Sequence, residues 1–188
     1  MTSFGVQALS KSTGALGLIY DWLADGDGEN LVYFPIFNYL GGSLDTTYTM
    51  LTSPHALAAL GDAGAHVGTV CDASMTTMLL GYWTRDRQRG PRLPLPLAVE
   101  MLTSRNARHL GLADRGLIQT GLRADLNVID YAKLAIEAPR MVHDLPAGGR
   151  RFVQGARGYL ATLVAGQTVS DHGQVTNRRP GRLVRAAS

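Results

Sequence analysis

ALAALGDAGAHVG, residues 56–68, decides how the first part of this chain is read. A short apolar run meets a loop of glycine and alanine that carries one carboxylate, Asp62, and one imidazole, His66. The length of the run favours a buried strand over residues 56–60, although alanine and leucine are also good helix formers. As a strand, it places Asp62 just past its C-terminal end, where barrels and open sheets put reactive groups. A carboxylate there can accept a proton from a metal-bound water and ligate the metal through its other oxygen. Gly64 and Ala65 would let backbone approach a substrate closely, and His66 would orient the carboxylate. The plainer alternative is a tight turn in which the Asp62 side chain satisfies local backbone N–H groups.

Upstream, residues 14–24 place Leu16, Leu18, Ile19, Trp22 and Leu23 at helical spacing, and DGDGEN (25–30) ends that helix. LVYFPIF (31–37) is a candidate strand interrupted by Pro35, and Ser43 is a candidate cap for a helix over 44–51. Downstream, Asp72 is a candidate cap for a helix over 73–83, followed by TRDRQRGP (84–91), read as a solvated loop. Leu95, Ala98, Val99 and Leu102 then fall on one helical face, and Gly111 stops that helix. From Gly116 the period changes. ADLNVID (124–130) reads as a strand, and GYLATLVAGQTVSDHG (158–173) as two more around turns at Gly166 and Gly173. EAPRMVHDLPAGGRRFVQG (137–155), with two prolines and a Gly-Gly pair, reads as loop. The expected organisation is an α/β part over 1–115, a β-rich module over 116–178 and a basic tail over 179–188.

Composition sets the outer limits. The 188 residues are 45% hydrophobic and 18% charged, enough to fold as one generous domain or a domain and part of another. One cysteine, Cys71, excludes an internal disulfide and suits a reducing compartment. The first residues do not read as a signal peptide, and no apolar run is long enough to span a bilayer, so a cytoplasmic protein without membrane contact is expected. The net charge of +3 hides acidic residues early and arginines late, among them Arg178, Arg179, Arg182 and Arg185. No aromatic interleaving or zinc-finger spacing accompanies them, so no nucleic-acid partner is expected.

Several stretches together resemble the C-terminal portion of the N-acyl-D-amino-acid deacylases (D-aminoacylases) of the metal-dependent amidohydrolase superfamily. They are residues 31–55, GDAGAHVGTVCDAS (61–74), TSRNARHLGLADRG (103–116), GLRADLNVIDY (121–131), and 141–185 with HDLPAGGRR inside it. The resemblance implies the last units of a (β/α)8 barrel followed by the closing strands of a composite β-sandwich. It implies hydrolysis of an N-acyl amino acid, or a related amide, through a zinc-bound hydroxide. Asp62 matches the family's general base and acid, which also lies at the metal, and His66 a supporting histidine. The backbone at Gly64 and Ala65 would face the substrate.

A complete barrel takes about 250 residues, and the regions that carry the family's remaining metal ligands are not in this sequence. The five histidines, His55, His66, His109, His143 and His172, have no ligand-like spacing among themselves. The expectation is a truncated hydrolase that holds no zinc and is inactive alone. Two alternatives stand beside it. One is half of a split enzyme completed by a separate N-terminal chain, or assembled as a homo-oligomer. The other is a non-enzymatic binding or assembly module. The D-aminoacylases carry an arginine after the Asp loop that pairs with the substrate carboxylate. Residues 67–78, VGTVCDASMTTM, have none, and the next arginine is Arg85, so a different carboxylate clamp or a different amide is expected.

Overall fold

The computed structural model describes residues 4–11, 14–33, 38–39, 41–59, 61, 68 and 72–184. Leu60, Asp62, Gly64, Ala65, His66, Cys71 and Arg185 lie outside the described residues, as do residues 34–37, which hold most of the candidate strand around Pro35. The chain divides into two compact units, 1–42 and 43–188.

The first unit is helical. Helices α1 (Phe4–Lys11) and α2 (Ala15–Ala24) pack on one another. The expected turn follows α2, with positive φ at Gly26 (70°) and Gly28 (80°). Asn30 closes that turn, its Nδ2 donating to the carbonyls of Trp22 (2.9 Å) and Asp25 (3.1 Å). The indole of Trp22 donates to the Leu31 carbonyl at 3.1 Å. Leu31, Asn30 and their neighbours up to Tyr33 have no strand pairing, so the expected strand is not formed over 31–33.

The second unit mixes helices and strands, in agreement with the α/β expectation. Helices α3 (Asp45–Thr52), α4 (Met75–Gly81), α5 (Leu95–Leu102) and α6 (Ser104–His109) precede every strand found among the described residues. Strands β1 (Leu126–Ile129), β6 (Tyr159–Val164), β7 (Gln167–Asp171) and β8 (Gln174–Val175) form one sheet in the order β1-β6-β7-β8. Its register sets Leu126 opposite Leu163 and Val128 opposite Ala161. The two hairpin loops are Ala165–Gly166 (φ 50° and 74°) and His172–Gly173 (φ 46° and 81°). Paired positive φ values define the turn whose twist matches that of the flanking strands. A second hairpin joins β3 (Arg140–Leu145) to β4 (Gly149–Val153), and β2 (Ala135–Ile136) pairs with β5 (Ala156–Arg157).

The core lies among the helices: Leu79, Leu80, Trp83, Leu93, Ala98, Met101 and the strand-side Leu134 are buried together. Ile129, Tyr131 and Tyr159 pack against it from the sheet side. Polar bonds add to this junction. The Thr77 hydroxyl meets the Tyr159 hydroxyl at 2.9 Å, and that of Thr84 meets Tyr131 at 2.6 Å. Arg85 donates to the carbonyls of Tyr131 and of Leu134, the latter at 2.7 Å.

Several expectations need correction. Residues 137–155 are not loop: RMVHDL and GRRFV pair as a hairpin through the short 3-10 turn Pro146–Gly148, where Ala147 (φ 58°) and Gly148 (φ 73°) reverse the chain. Pro146 and the glycines mark only that turn. TRDRQRGP is not solvated throughout, since Tyr82–Asp86 continues α4 as a π-helical turn and Arg87 is 1% exposed. Helix α4 begins at Met75 with Ser74 as its cap position, and Asp72 contributes its backbone carbonyl to Met75 N–H rather than a side-chain cap. Leu44 holds the cap position of α3, while the Ser43 hydroxyl accepts from Asp45 N–H at 3.1 Å. On α5 the buried positions are Ala98 and Met101, and Leu95 and Val99 are exposed, because the core approaches from Leu93 at the helix start.

Residues 56–59 carry no strand hydrogen bonding. Every strand pairing among the described residues is antiparallel. A barrel strand needs parallel neighbours on its edges, and none is found there among the described residues.

Candidate active-site loop

The loop that carries Asp62, Gly64, Ala65 and His66 lies outside the described residues. Its two stems are described. On the near side, the Asn106 carboxamide of α6 donates through Nδ2 to the Ala58 carbonyl at 3.0 Å, in a half-buried position. Ala58 also packs against the helical core. Closer to the loop, Gly61 lies hard against the start of α4. A Cβ added there would lie 2.9 Å from the Asp72 carbonyl oxygen and 2.9 Å from Met75 Sδ. On the far side, Asp72 accepts the N–H of Met75 at 3.2 Å and leads into α4. The stems at Gly61 and Asp72 are therefore brought together on one face of the helical core, and the loop between them spans residues 62–71.

The frame behind α4 is held by an internal cation. The Arg87 guanidinium lies 4.6 Å from the centre of the Trp83 ring and 5.6 Å from that of Tyr48. Its Nε donates to the Arg89 carbonyl (2.6 Å), Nη1 to that of Pro91 (3.0 Å) and Nη2 to Asp45 Oδ1 (2.5 Å). A planar guanidinium can bond in its plane and stack on aromatic rings through its faces, which an ammonium cannot do. Arg87 thereby fixes α3, which leads into residues 56–59, against the turn that follows α4. The charge pattern of 84–91 favours solvent, and the rings that take Arg87 out of it are Trp83, just before the run, and Tyr48, distant in sequence on α3.

Arg85, the first arginine after the Asp62 loop, is engaged elsewhere. Besides its two carbonyl partners it pairs with Asp86 through Nε (2.6 Å) and Nη2 (2.8 Å). That hydrogen-bonded pairing holds the Asp86 carboxyl below, and the Arg85 guanidinium above, its ordinary value. The same effect operates at Asp114, lowered by its bond to Arg115, and at Asp144, lowered by its two-point bond to Arg151 across the β3–β4 hairpin (2.7 and 2.7 Å).

The four described histidines are dispersed. His55 is exposed in the turn after α3, its backbone N–H bonded to Ser53 Oγ at 3.3 Å. His109 is exposed at the end of α6, and His143 is exposed on β3. His172 sits in the β7–β8 turn, paired with Asp171 at 2.7 Å. Among the described residues no three His, Cys, Asp or Glu side chains gather as metal donors. The described residues therefore do not fit the zinc that the motif resemblance implies, which normally takes three protein donors. Asn106, which holds the loop stem, was not singled out from the sequence. A carboxamide inside a short helix is the signal that could have found it, because asparagine is a poor helix former.

Among solved structures, the chain is similar to a D-aminoacylase whose crystal structure is described as defining a novel subset of amidohydrolases. Identity is 29% over 58% of this chain, with a TM-score of 0.43. The matched part spans 21% of that chain's length. A family model described as the amidohydrolase family matches residues 30–170, which include both stems of the Asp62 loop, the buried Arg87 frame and the sheet up to β7. On that match over most of its length, this chain belongs to the amidohydrolase family.

Proposed function

We propose that this chain carries the proton-transfer aspartate of an amide hydrolase, with Asp62 as general base and acid. The observation that carries the reading is the family match over residues 30–170, within which the Asp62 loop falls. The D-aminoacylase-like motifs at 61–74 and 143–151 support an N-acyl amino acid, or a related amide, as the substrate class. In this reading Asp62 takes the proton of the attacking water and delivers it to the nitrogen of the departing amine, so the C–N bond breaks as the carboxylate forms. His66 orients Asp62, and the backbone at Gly64 and Ala65 faces the substrate. Residues 1–115 act as the last units of a (β/α)8 barrel, 116–178 as part of a composite β-sandwich and 179–188 as a basic tail. Further donors for a metal come from beyond residues 1–188, for instance from a complementary polypeptide, and residues 1–188 by themselves are inactive.

The test is hydrolysis of a panel of N-acyl-D-amino acids, followed by release of the free amino acid. The chain is assayed alone and mixed with a separately produced chain bearing the rest of a D-aminoacylase barrel. Activity is expected only in the mixture, and Asp62→Asn lowers it by about 100-fold or more. Hydrolysis indifferent to Asp62→Asn, or no hydrolysis by a mixture that does assemble, refutes the reading.

A further inference from the structure

We propose that Asn106 is a positioning residue for the Asp62 loop, holding the loop's near stem through the Ala58 carbonyl. The inference rests on the hydrolase reading for the role of Asp62, but its geometry stands on described residues. Residues 56–59 have no strand or helix hydrogen bonding of their own. The stem therefore lacks the ladder that would ordinarily fix a segment leading into a reactive loop. The bond from Asn106 Nδ2 to Ala58, across 48 residues of sequence, takes the ladder's place.

A second observation sharpens this. Asn106 Oδ1 is buried without a hydrogen-bond partner among the described residues. An orphaned buried acceptor is costly, and an apolar side chain of similar size would avoid that cost. What asparagine supplies at this place is the N–H, directed at a single carbonyl. Three residues further on, Gly61 is pressed against the Asp72 carbonyl and Met75 Sδ. The stem is thus pinned twice, by α6 at Ala58 and by α4 at Gly61, and Asp62 is the next residue. A group that must hold its geometry within a fraction of an ångström needs such support from residues outside the reacting set.

Solution NMR on the intact chain tests the proposal. In the wild type, a coupling through the hydrogen bond between Asn106 Nδ2 and the Ala58 carbonyl carbon is expected, and its absence would overturn the assignment. In Asn106→Asp, isosteric but without the donor, the amide signals of Gly61, Gly68 and Asp72 shift or broaden while those of β6 and β7 keep their positions. Unchanged signals at Gly61, Gly68 and Asp72 count against the proposal, and so do changes spread through the sheet, which mark a general structural role. Should Asn106→Asp fail to fold, Asn106→Ser, which shortens the donor, is read in the same way. Failure of the hydrolase reading shows separately, as activity indifferent to Asp62→Asn with the Asn106 signature intact.

Discussion

Replacing Arg87 by alanine removes three hydrogen bonds and a cation stacked on two rings from a site that is 1% exposed. Hydrogen bonds that involve a charged group are worth about 1.5–3 kcal/mol each, and a desolvated cation–π contact about 2 kcal/mol. These do not add, and the cation's own desolvation opposes them. The expected net loss is about 3–5 kcal/mol, at the large end for a single substitution, because a buried hydrogen-bond network is broken. At roughly 2–4 °C per kcal/mol for a chain of this size, that lowers Tm by about 6–20 °C. Asp45 supplies little of this, because its side chain is 64% exposed and water screens the pair. Asp45→Asn is therefore expected to cost about 1 kcal/mol or less. Urea denaturation followed by far-UV circular dichroism measures both variants at one pH. An Arg87→Ala variant within about 1 kcal/mol of wild type, or an Asp45→Asn variant that equals it, refutes the view that backbone bonding and ring stacking carry the site.

Three further outcomes follow from the geometry. Gly90 has φ 80°, and a Cβ there would fall on the Asp45 carboxylate and the Arg87 guanidinium, so Gly90→Ala should lose at least about 1–2 kcal/mol in the same urea assay. Ala165 occupies φ 50° at the first position of its two-residue turn, so Ala165→Gly or Ala165→Asn should gain about 0.4–1 kcal/mol, read as a higher urea midpoint. The carboxyls of Asp86, Asp114 and Asp144 sit below their ordinary value of 3.8 in the fold. Their contribution is complete above that pH and is lost as pH falls through the lowered folded values, so stability should drop on acidification below about pH 4. Converting all three to asparagine should flatten that drop, and a triple variant with the wild-type acid profile would refute it.

How much could be read beforehand depended on whether a single local rule governed each segment. Tyr159 to Asp171 is two short runs rich in apolar and β-branched residues broken at glycine, so β6, β7 and both tight turns were legible. Helix α2 was legible for the same reason, with one period and one stop. The β3–β4 hairpin was not. Pro146 and Gly148–Gly149 speak for a turn of a few residues, and their signal was extended over flanks whose pairing is settled by contacts across the hairpin. Arg87 was misread because charge normally stays in water, and its exception depends on Tyr48, far away in sequence. Residues 56–60 were ambiguous from the outset. Alanine and leucine suit either element, and in the fold residues 56–59 form neither, with the Ala58 carbonyl bonded to the Asn106 side chain of α6. The Asp62 loop itself was found by motif, and only its stems are placed by the structure.

The hydroxyl and guanidinium links of Thr77, Thr84 and Arg85 to Tyr159, Tyr131 and Leu134 bear on how this protein could be dissected. A scissile point placed in residues 111–123, although outside every helix and strand, would leave one product with an uncovered apolar flank and the other with hydroxyls that lack counterparts. Neither product is expected to stay in solution as a folded piece. Recombination at that boundary should succeed only when donor and recipient carry matching residues at Thr77, Thr84, Arg85, Tyr131 and Tyr159, since position 134 offers Arg85 a backbone carbonyl.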